Sequence, residues 1–352
     1  MKDIAREAGV SASAVSFALN NRAGVSPGTR DRVVRVAERL GWRPHSAARA
    51  LSGENAGVLG MVLARSAGSL GVESFFLQLM SGIQRALAPR DHALLFQMAD
   101  SLDAECELYR RWWAEGRVDG VVVVDPRTED PRPALLTSLG LPAVVVGGMA
   151  DEEAQGSETP RLSNVWADDA GAMATIVRHL YGLGHRRVAH IAGVAGFAHT
   201  ERRIASLRAE AARIGLADAR SVTTDYTDAQ GAEAARRLLA LPAPPTALIC
   251  DNEVMAVAAV SVAAERGLAV PRELSIVSWE DSVLCRTLHP QLTSLSRDTE
   301  EFGRRAAEQL LDVLTGGPLR QVRVPLPTLT PRESTAPPPP ASASASASPE
   351  TA

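Results

Sequence analysis

The stretch Asp3-Ile4-Ala5-Arg6-Glu7-Ala8-Gly9-Val10-Ser11-Ala12-Ser13-Ala14-Val15-Ser16-Phe17-Ala18-Leu19-Asn20 decides the reading of this 352-residue chain. Ile4, Ala5 and Ala8 fall on one face of a first short helix. Gly9 lets the chain leave that helix in the left-handed region. Ser11 suits the N-cap of a second helix, because its hydroxyl accepts from an otherwise unpaired amide. On that helix Val15 and Leu19 share a face, while Ser13 and Phe17 point the other way. Helix, tight turn, helix is the shape that lays a second helix in a DNA major groove.

Working outward, Ser26-Pro27 supplies the N-cap and first turn of a third helix. Val33, Val36, Ala37 and Leu40 recur there at helical spacing, and Gly41 ends the run. Three helices around one small core make a DNA-binding headpiece; a helical hairpin with no partner is the blander alternative. Charge is divided to match. Residues 1–50 carry nine Lys/Arg against four Asp/Glu, and the remainder carries 28 against 37. A basic head on an acidic body points a polyanion partner at the head.

The length implies more than one domain, and 45% apolar with 22% charged residues is ordinary for a water-soluble globular chain. Cys106, Cys250 and Cys285 lie far apart without CxxC spacing, which fits a reducing cytoplasm and neither a disulfide framework nor a zinc site. No apolar run reaches the roughly 20 residues of a membrane helix, and the charged amphipathic start is no secretory signal. The chain is therefore expected to be cytoplasmic, with no membrane association and no cofactor. After Gly41, Pro44 breaks the helix, and 45–51 offers one or two small-residue turns before Gly53. Alone such a segment is marginal, so it is either a linker or a helix formed against a partner.

These motifs, together with Val25-Ser26, Thr29-Arg30, Leu40-Gly41, Arg43-Pro44 and Ala48 to Leu51 in order, resemble the LacI/GalR transcriptional regulators. The similarity continues through the body to about Ser334. It implies that Ala12, Ser13 and Phe17 face base edges, and that Asn20, Thr29 and Arg30 hold backbone phosphates. It implies that Leu51, with Ala48 packed close by, wedges as a pair into the central minor-groove step of a palindromic operator bound by a homodimer. Three departures stand out. Phe17 replaces an arginine suited to guanine, and His45 replaces the usual hinge asparagine. Met1 falls where relatives carry an N-capping Thr, worth roughly 1 kcal/mol, which suggests a start codon upstream.

From Gly57 onward, apolar strands alternate with amphipathic helices. A first set has strands at 58–63, 93–98, 121–125 and 143–147, with helices at 75–88 and 105–115. A Pro/Gly/Asp/Glu-rich break at 151–160 separates a second set, with strands near 164–167, 187–192, 221–225, 247–251 and 274–279. Parallel sheets covered on both faces follow. The expected fold is thus α/β: a three-helix helix-turn-helix headpiece (1–43), a hinge helix (44–55), and a two-lobed periplasmic-binding-protein-like doubly wound domain (56–335). Its first lobe would span about 56–158 and its second about 160–288, with chain crossings near 290 and 320 and a final strand at 322–326. Residues 336–352, rich in Pro, Ala and Ser, cannot bury a core and are expected to form a disordered tail. They hold no leucine heptad for a tetramerising coil.

No GxSxG, HExxH, GxxxxGK[ST] or metal-spaced His/Cys cluster is present, so an enzyme is not expected. His185 reads as helix-end punctuation, Trp112 as packing, and Gly193-Val194-Ala195-Gly196 lacks the rest of a dinucleotide site. A small-molecule site is expected at the carboxyl ends of the strands, where open α/β sheets bind ligands. The resemblance implies Arg203 as its guanidinium fork, Asn252 and Glu280 as polar contacts (relatives mostly carry Asp at the latter), and Tyr226 as a ring platform. Phe75 and Phe76 sit at the first lobe's edge, either in the pocket or in the core. The implied effector is a sugar, polyol or nucleobase, and the implied function repression of carbohydrate-utilisation genes. A sugar-binding transport protein would share the body but not the basic head. Leu51→Ala is expected to weaken specific operator binding far more than non-specific binding; equal loss in titrations at fixed salt would refute the wedge.

Overall fold

A computed structural model describes residues 1–19, 22–42, 55–65, 73–148 and 162–340. The chain forms two compact units, Met1–Ala56 and Gly57–Ala352. In the first, α1 (Lys2–Ala8), α2 (Ala12–Leu19) and α3 (Pro27–Arg39) enclose Ile4, Ala8, Val15, Ala18, Val33 and Val36. The turn chemistry acts as the residues require. Gly9 sits at φ 63°, Ser11 Oγ accepts the Ala14 N–H at 3.2 Å, and Ser26 caps α3 with Pro27 in its first turn. Met1 gives α1 no side-chain cap.

In the larger unit, a first sheet runs β11-β5-β4-β3-β1-β2 and a second β12-β10-β9-β8-β6-β7. The first comprises β1 (Val58–Leu63), β2 (Ala93–Met98), β3 (Gly120–Val123), β4 (Ala143–Val146), β5 (Ser163–Trp166) and β11 (Gln321–Arg323). The second comprises β6 (Arg187–Ala192), β7 (Asp218–Thr223), β8 (Ala247–Cys250), β9 (Ser275–Ser278), β10 (Thr293–Ser296) and β12 (Thr328–Thr330). All pairings are parallel except β10 with β12. Central strands such as β3 and β8 are buried along their whole length, as coverage on both faces demands. In the first lobe, Ser74–Leu87 and Thr299–Leu314 cover one face, while Leu102–Ala114 packs Tyr109 and Trp112 against the other.

Three expectations are corrected. The strand near 164–167 was assigned to the second lobe, yet β5 pairs with β4 in the first sheet, Val145 opposite Asn164. The composition break at 151–160, which lies outside the described residues, is therefore not the lobe boundary; the chain first crosses after Trp166. The later crossings follow β10 and β11, so Thr299–Leu314 and β11 return to the first lobe. The chain does not finish at 322–326: β12 follows as an antiparallel edge strand. Finally, the low-complexity tail does not begin free at 336. Ala336 exchanges hydrogen bonds with Ser275 Oγ at 3.1 Å, and its carbonyl accepts from His185 at 3.0 Å. His185, also bonded to Thr246 at 2.8 Å, thus fastens this segment, and burial drives its pKa down to about 4.

The first lobe depends on one close helix crossing. A Cβ on Gly82 would lie 1.8 Å from the Glu300 carbonyl oxygen, and one on Gly303 2.1 Å from that of Leu79. Both obstacles are backbone, so no side chain can swing aside. Gly82→Ala and Gly303→Ala are each expected to cost about 2 kcal/mol or more, lowering Tm by roughly 4–8 °C. Gly182→Ala, where a Cβ meets nothing within 4 Å, should not lower it. Thermal melts of the three variants check this.

Candidate functional site

A cavity of about 80 Å³ lies between the two lobes of the larger unit. Its polar lining comes from carboxyl ends of strands: Arg65 follows β1, Asp125 follows β3, Asp251 follows β8 and Glu280 follows β9. Arg65 is the centre of the first-lobe wall. Its fork grips Asp125 at 2.6 and 2.8 Å, and it reaches Glu73 at 3.0 Å. The same guanidinium lies over Phe76 of its own lobe at 5.0 Å and over Tyr226 of the other at 4.4 Å. Burial would lower the pKa of Arg65, but Asp125 and Glu73 outweigh it, so the group stays charged.

The opposite wall is built around Asp251. Its carboxylate accepts from His190 at 2.9 Å and from the Gly193 N–H at 2.8 Å, and it pairs with Arg203 at 3.2 Å. Burial pulls Asp251 upward, but Arg203 and His190 outweigh it and hold its pKa well below the usual carboxylate range. Arg203 also meets Asp169 at 3.1 Å and stacks on Trp279 at 3.9 Å. Tyr226 sits at φ 71°, its hydroxyl 2.8 Å from His199. Gly193 is obligatory beneath it, since a Cβ there would fall 1.9 Å from the phenol ring. Burial first, then Arg203, lowers the pKa of His199 to about 4.

Hydrogen bonds cross between the lobes. Asn252 Nδ2 donates to Glu73 Oε1 at 2.9 Å, and the Ser74 N–H donates to Glu253 at 3.0 Å. At the rim, the Ala198 N–H donates to the Pro126 carbonyl at 2.8 Å, and the Thr128 N–H to that of Gly196 at 3.0 Å.

All six expected pocket residues line this cavity. Their states differ from the expectation of free ligand contacts. Arg203 already serves two carboxylates. Asn252 bridges to Glu73 and, through Oδ1, caps the helix Glu253–Glu265. Glu280 is ion-paired with Arg297, and Phe76 is a core residue as well as a wall. Sequence reasoning missed Arg65, Glu73, Asp125, Asp169, His199, Asp251, Glu253 and Arg297. A signal existed for Asp125 and Asp251, acids that directly follow apolar runs; none existed for Arg297, which arrives on a crossing segment.

On the headpiece, Ala12, Ser13 and Phe17 are exposed on one side of α2, Phe17 at 39%, while Val15 is fully buried. Thr29 bonds the Ser26 hydroxyl at 2.9 Å. Arg30 is half-buried and donates to the Arg22 carbonyl at 2.8 Å, so it braces the α2–α3 loop besides any phosphate role. Asn20, Ala48, Leu51, His45 and nearly all of the expected hinge helix lie outside the described residues.

The profile of the bacterial regulatory proteins of the lacI family matches residues 1–45, and that of the periplasmic binding protein-like domain matches 177–335. The chain is 30% identical to the transcriptional regulator CelR of Thermobifida fusca over 94% of its own length and 96% of that protein's. It belongs to the LacI family. A LacI family regulator from Bifidobacterium animalis superposes with a TM-score of 0.72 at 35% identity, over 81% of this chain and 100% of that one. A solved CelR–cellobiose complex gives 0.70 at 27%, over 94% and 98%. The chain is thus a DNA-binding transcriptional regulator of that family, with an effector-binding body on the fold expected.

Burial, opposed by Arg65, raises the pKa of Glu73 to about 7, and burial raises that of Glu280 despite Arg297. A raised carboxyl pKa favours the protonated folded state, so this contribution is complete below about pH 4.5 and disappears as pH rises through 7. Ligand-free protein is expected to lose thermal stability from pH 5 to 8, less steeply in Glu73→Gln. Parallel melting curves for the two proteins would overturn the assignment.

Proposed function

We propose that the chain represses carbohydrate-utilisation genes, binding a palindromic operator as a homodimer gated by a sugar-like effector in the inter-lobe cavity. The carrying observation is the cavity's composition. Aromatic side chains of Phe75, Phe76 and Tyr226 wall it beside fixed acceptors and donors, a combination that suits a polyhydroxylated ring. The relative solved with cellobiose supports the class. The contacts between Asn252 and Glu73 and between Ser74 and Glu253 connect the two walls, so a ligand that joins or replaces them changes lobe closure. That is a bistable element able to couple two sites.

Two-fold pairing is supported by apolar side chains left uncovered on the body. Leu77 is 57% exposed, and Val283 and Leu284 are 64% and 43% exposed. Apolar surface of this kind is what an isologous interface would cover, and two heads would then read two half-sites. Ala12, Ser13 and Phe17 are the residues proposed to face base edges, with Leu51 at the central step.

The test is fluorescence anisotropy on the chain's own promoter DNA with a panel of mono- and disaccharides. A sugar-dependent change in DNA affinity is expected, and indifference to every sugar would reject the carbohydrate reading. Arg203→Ala should abolish the response while DNA affinity persists. Because it strands two buried carboxylates, it should also lose about 3–5 kcal/mol of stability; Arg203→Lys, which keeps the charge, separates the two effects. An unchanged response in both variants would remove Arg203 from the site. Specific affinity should fall steeply between 50 and 200 mM salt, by roughly 10³-fold or more if about six phosphates are engaged.

A further inference from the structure

The ionisable lining of the inter-lobe cavity does not balance. Asp125, Asp169, Asp251 and Glu253 face it, with Glu73 and Glu280, whose pKa values burial raises, that of Glu73 to about 7, against the guanidiniums of Arg65, Arg203 and Arg297. His199 adds no charge at neutral pH, its pKa being about 4. Each of the three arginines is already engaged. Arg65 serves Asp125 and Glu73, Arg203 serves Asp169 and Asp251, and Arg297 serves Glu280. Arg202, at 3.0 Å, is a second cation beside Asp169.

Glu253 is the residue left over. It is 1% exposed, begins the helix Glu253–Glu265, and accepts the Ser74 N–H through Oε1 at 3.0 Å. Its other oxygen, Oε2, is buried and has no hydrogen-bond partner among the described residues. The helix N-terminus offsets part of the charge, but a carboxylate oxygen out of water without a donor is costly. Resting on the carbohydrate reading above, we propose that the effector carries a protonated amine, as an amino sugar does, and that the ammonium docks on Glu253 Oε2. A charge-assisted N–H···O bond is roughly twice as strong as the neutral hydroxyl alternative. Conversely, uronates and sugar phosphates find no guanidinium fork free and a surplus of carboxylates, so the cavity rejects them.

The test uses matched triples on the full chain with its promoter DNA: glucosamine, glucose and glucuronate; galactosamine, galactose and galacturonate; and the β1,4-linked glucosamine disaccharide, cellobiose and cellobiouronate. In any triple that shifts Tm or DNA affinity, the amine is expected to act at tenfold or more lower concentration than the hydroxyl sugar, and the acid not at all. Glu253→Gln should bring the amine to the hydroxyl sugar's level. The comparison within wild type stands even if that variant fails to fold. A hydroxyl or acidic sugar that binds as tightly as its amine overturns the proposal and leaves the carbohydrate reading intact. A blank across all triples overturns both.

Discussion

Buried carboxylates at the carboxyl ends of two parallel sheets need cations, and the way they find them shapes the body of this protein. Asp125 and Asp251 each follow a fully buried strand, where solvation is gone. An isolated carboxylate there would be neutralised or expelled. Arg65 and Arg203 prevent both, at distances of 2.6 to 3.2 Å. Each arginine is also held by aromatic faces, Arg65 by Phe76 and Tyr226, Arg203 by Trp279. The rings exclude water and so strengthen the pairing that the carboxylates require. Pairing and packing therefore depend on each other, and removing either partner leaves a naked charge.

The lobes communicate through the same groups. Asn252 donates to Glu73 across the cavity and to the Tyr226 carbonyl on its own side, while its oxygen caps a helix of the second lobe. One side chain thus ties lobe contact, a strained left-handed tyrosine and a helix terminus into one arrangement. Three chain crossings limit how the lobes can move against each other, because each must bend together. Arg297 lies on one of them, pairing with Glu280 and lying over Phe75 at 4.8 Å. A ligand that competes for Glu280 consequently acts on the hinge as well as on the wall.

Much of this was legible in residue patterns. The headpiece came out element for element, because Gly9, Ser11, Ser26 and Pro27 each demand one local conformation. The strand at 58–63 matches its expected bounds, because buried parallel strands are continuously apolar. The lobe assignment of β5 failed for a physical reason. Sheet membership is set by pairing with β4, which composition does not report, and the conspicuous Pro/Gly/Asp/Glu break drew the boundary too early. The six expected residues line the cavity, but the partners they are bound to were invisible. Nothing in the order of residues says that Arg203 would spend its fork on Asp169 and Asp251, over thirty positions away in each direction. Ion-pair networks are tertiary facts.

The face of α2 proposed to read bases follows the opposite logic from the cavity. Where the cavity pairs Arg65, Arg203 and Arg297 with carboxylates, the exposed side of α2 presents little hydrogen-bonding capacity. Ala12 has none, the Ser13 hydroxyl is engaged by Ser11 at 2.9 Å, and Phe17 offers a ring that packs beside Gly24. Bidentate guanine readout needs a guanidinium or ammonium at such a position, and none of these three residues supplies one. If these residues face the bases as proposed, discrimination by this helix would rest on apolar contact, chiefly with thymine methyl groups, each worth less than a bidentate pair. The remaining specificity would then come from the energy of deforming the duplex, for which pyrimidine–purine steps are the cheapest. A regulator of this kind would tolerate base changes under α2 better than changes at the centre of its site, the reverse of a helix armed with arginine.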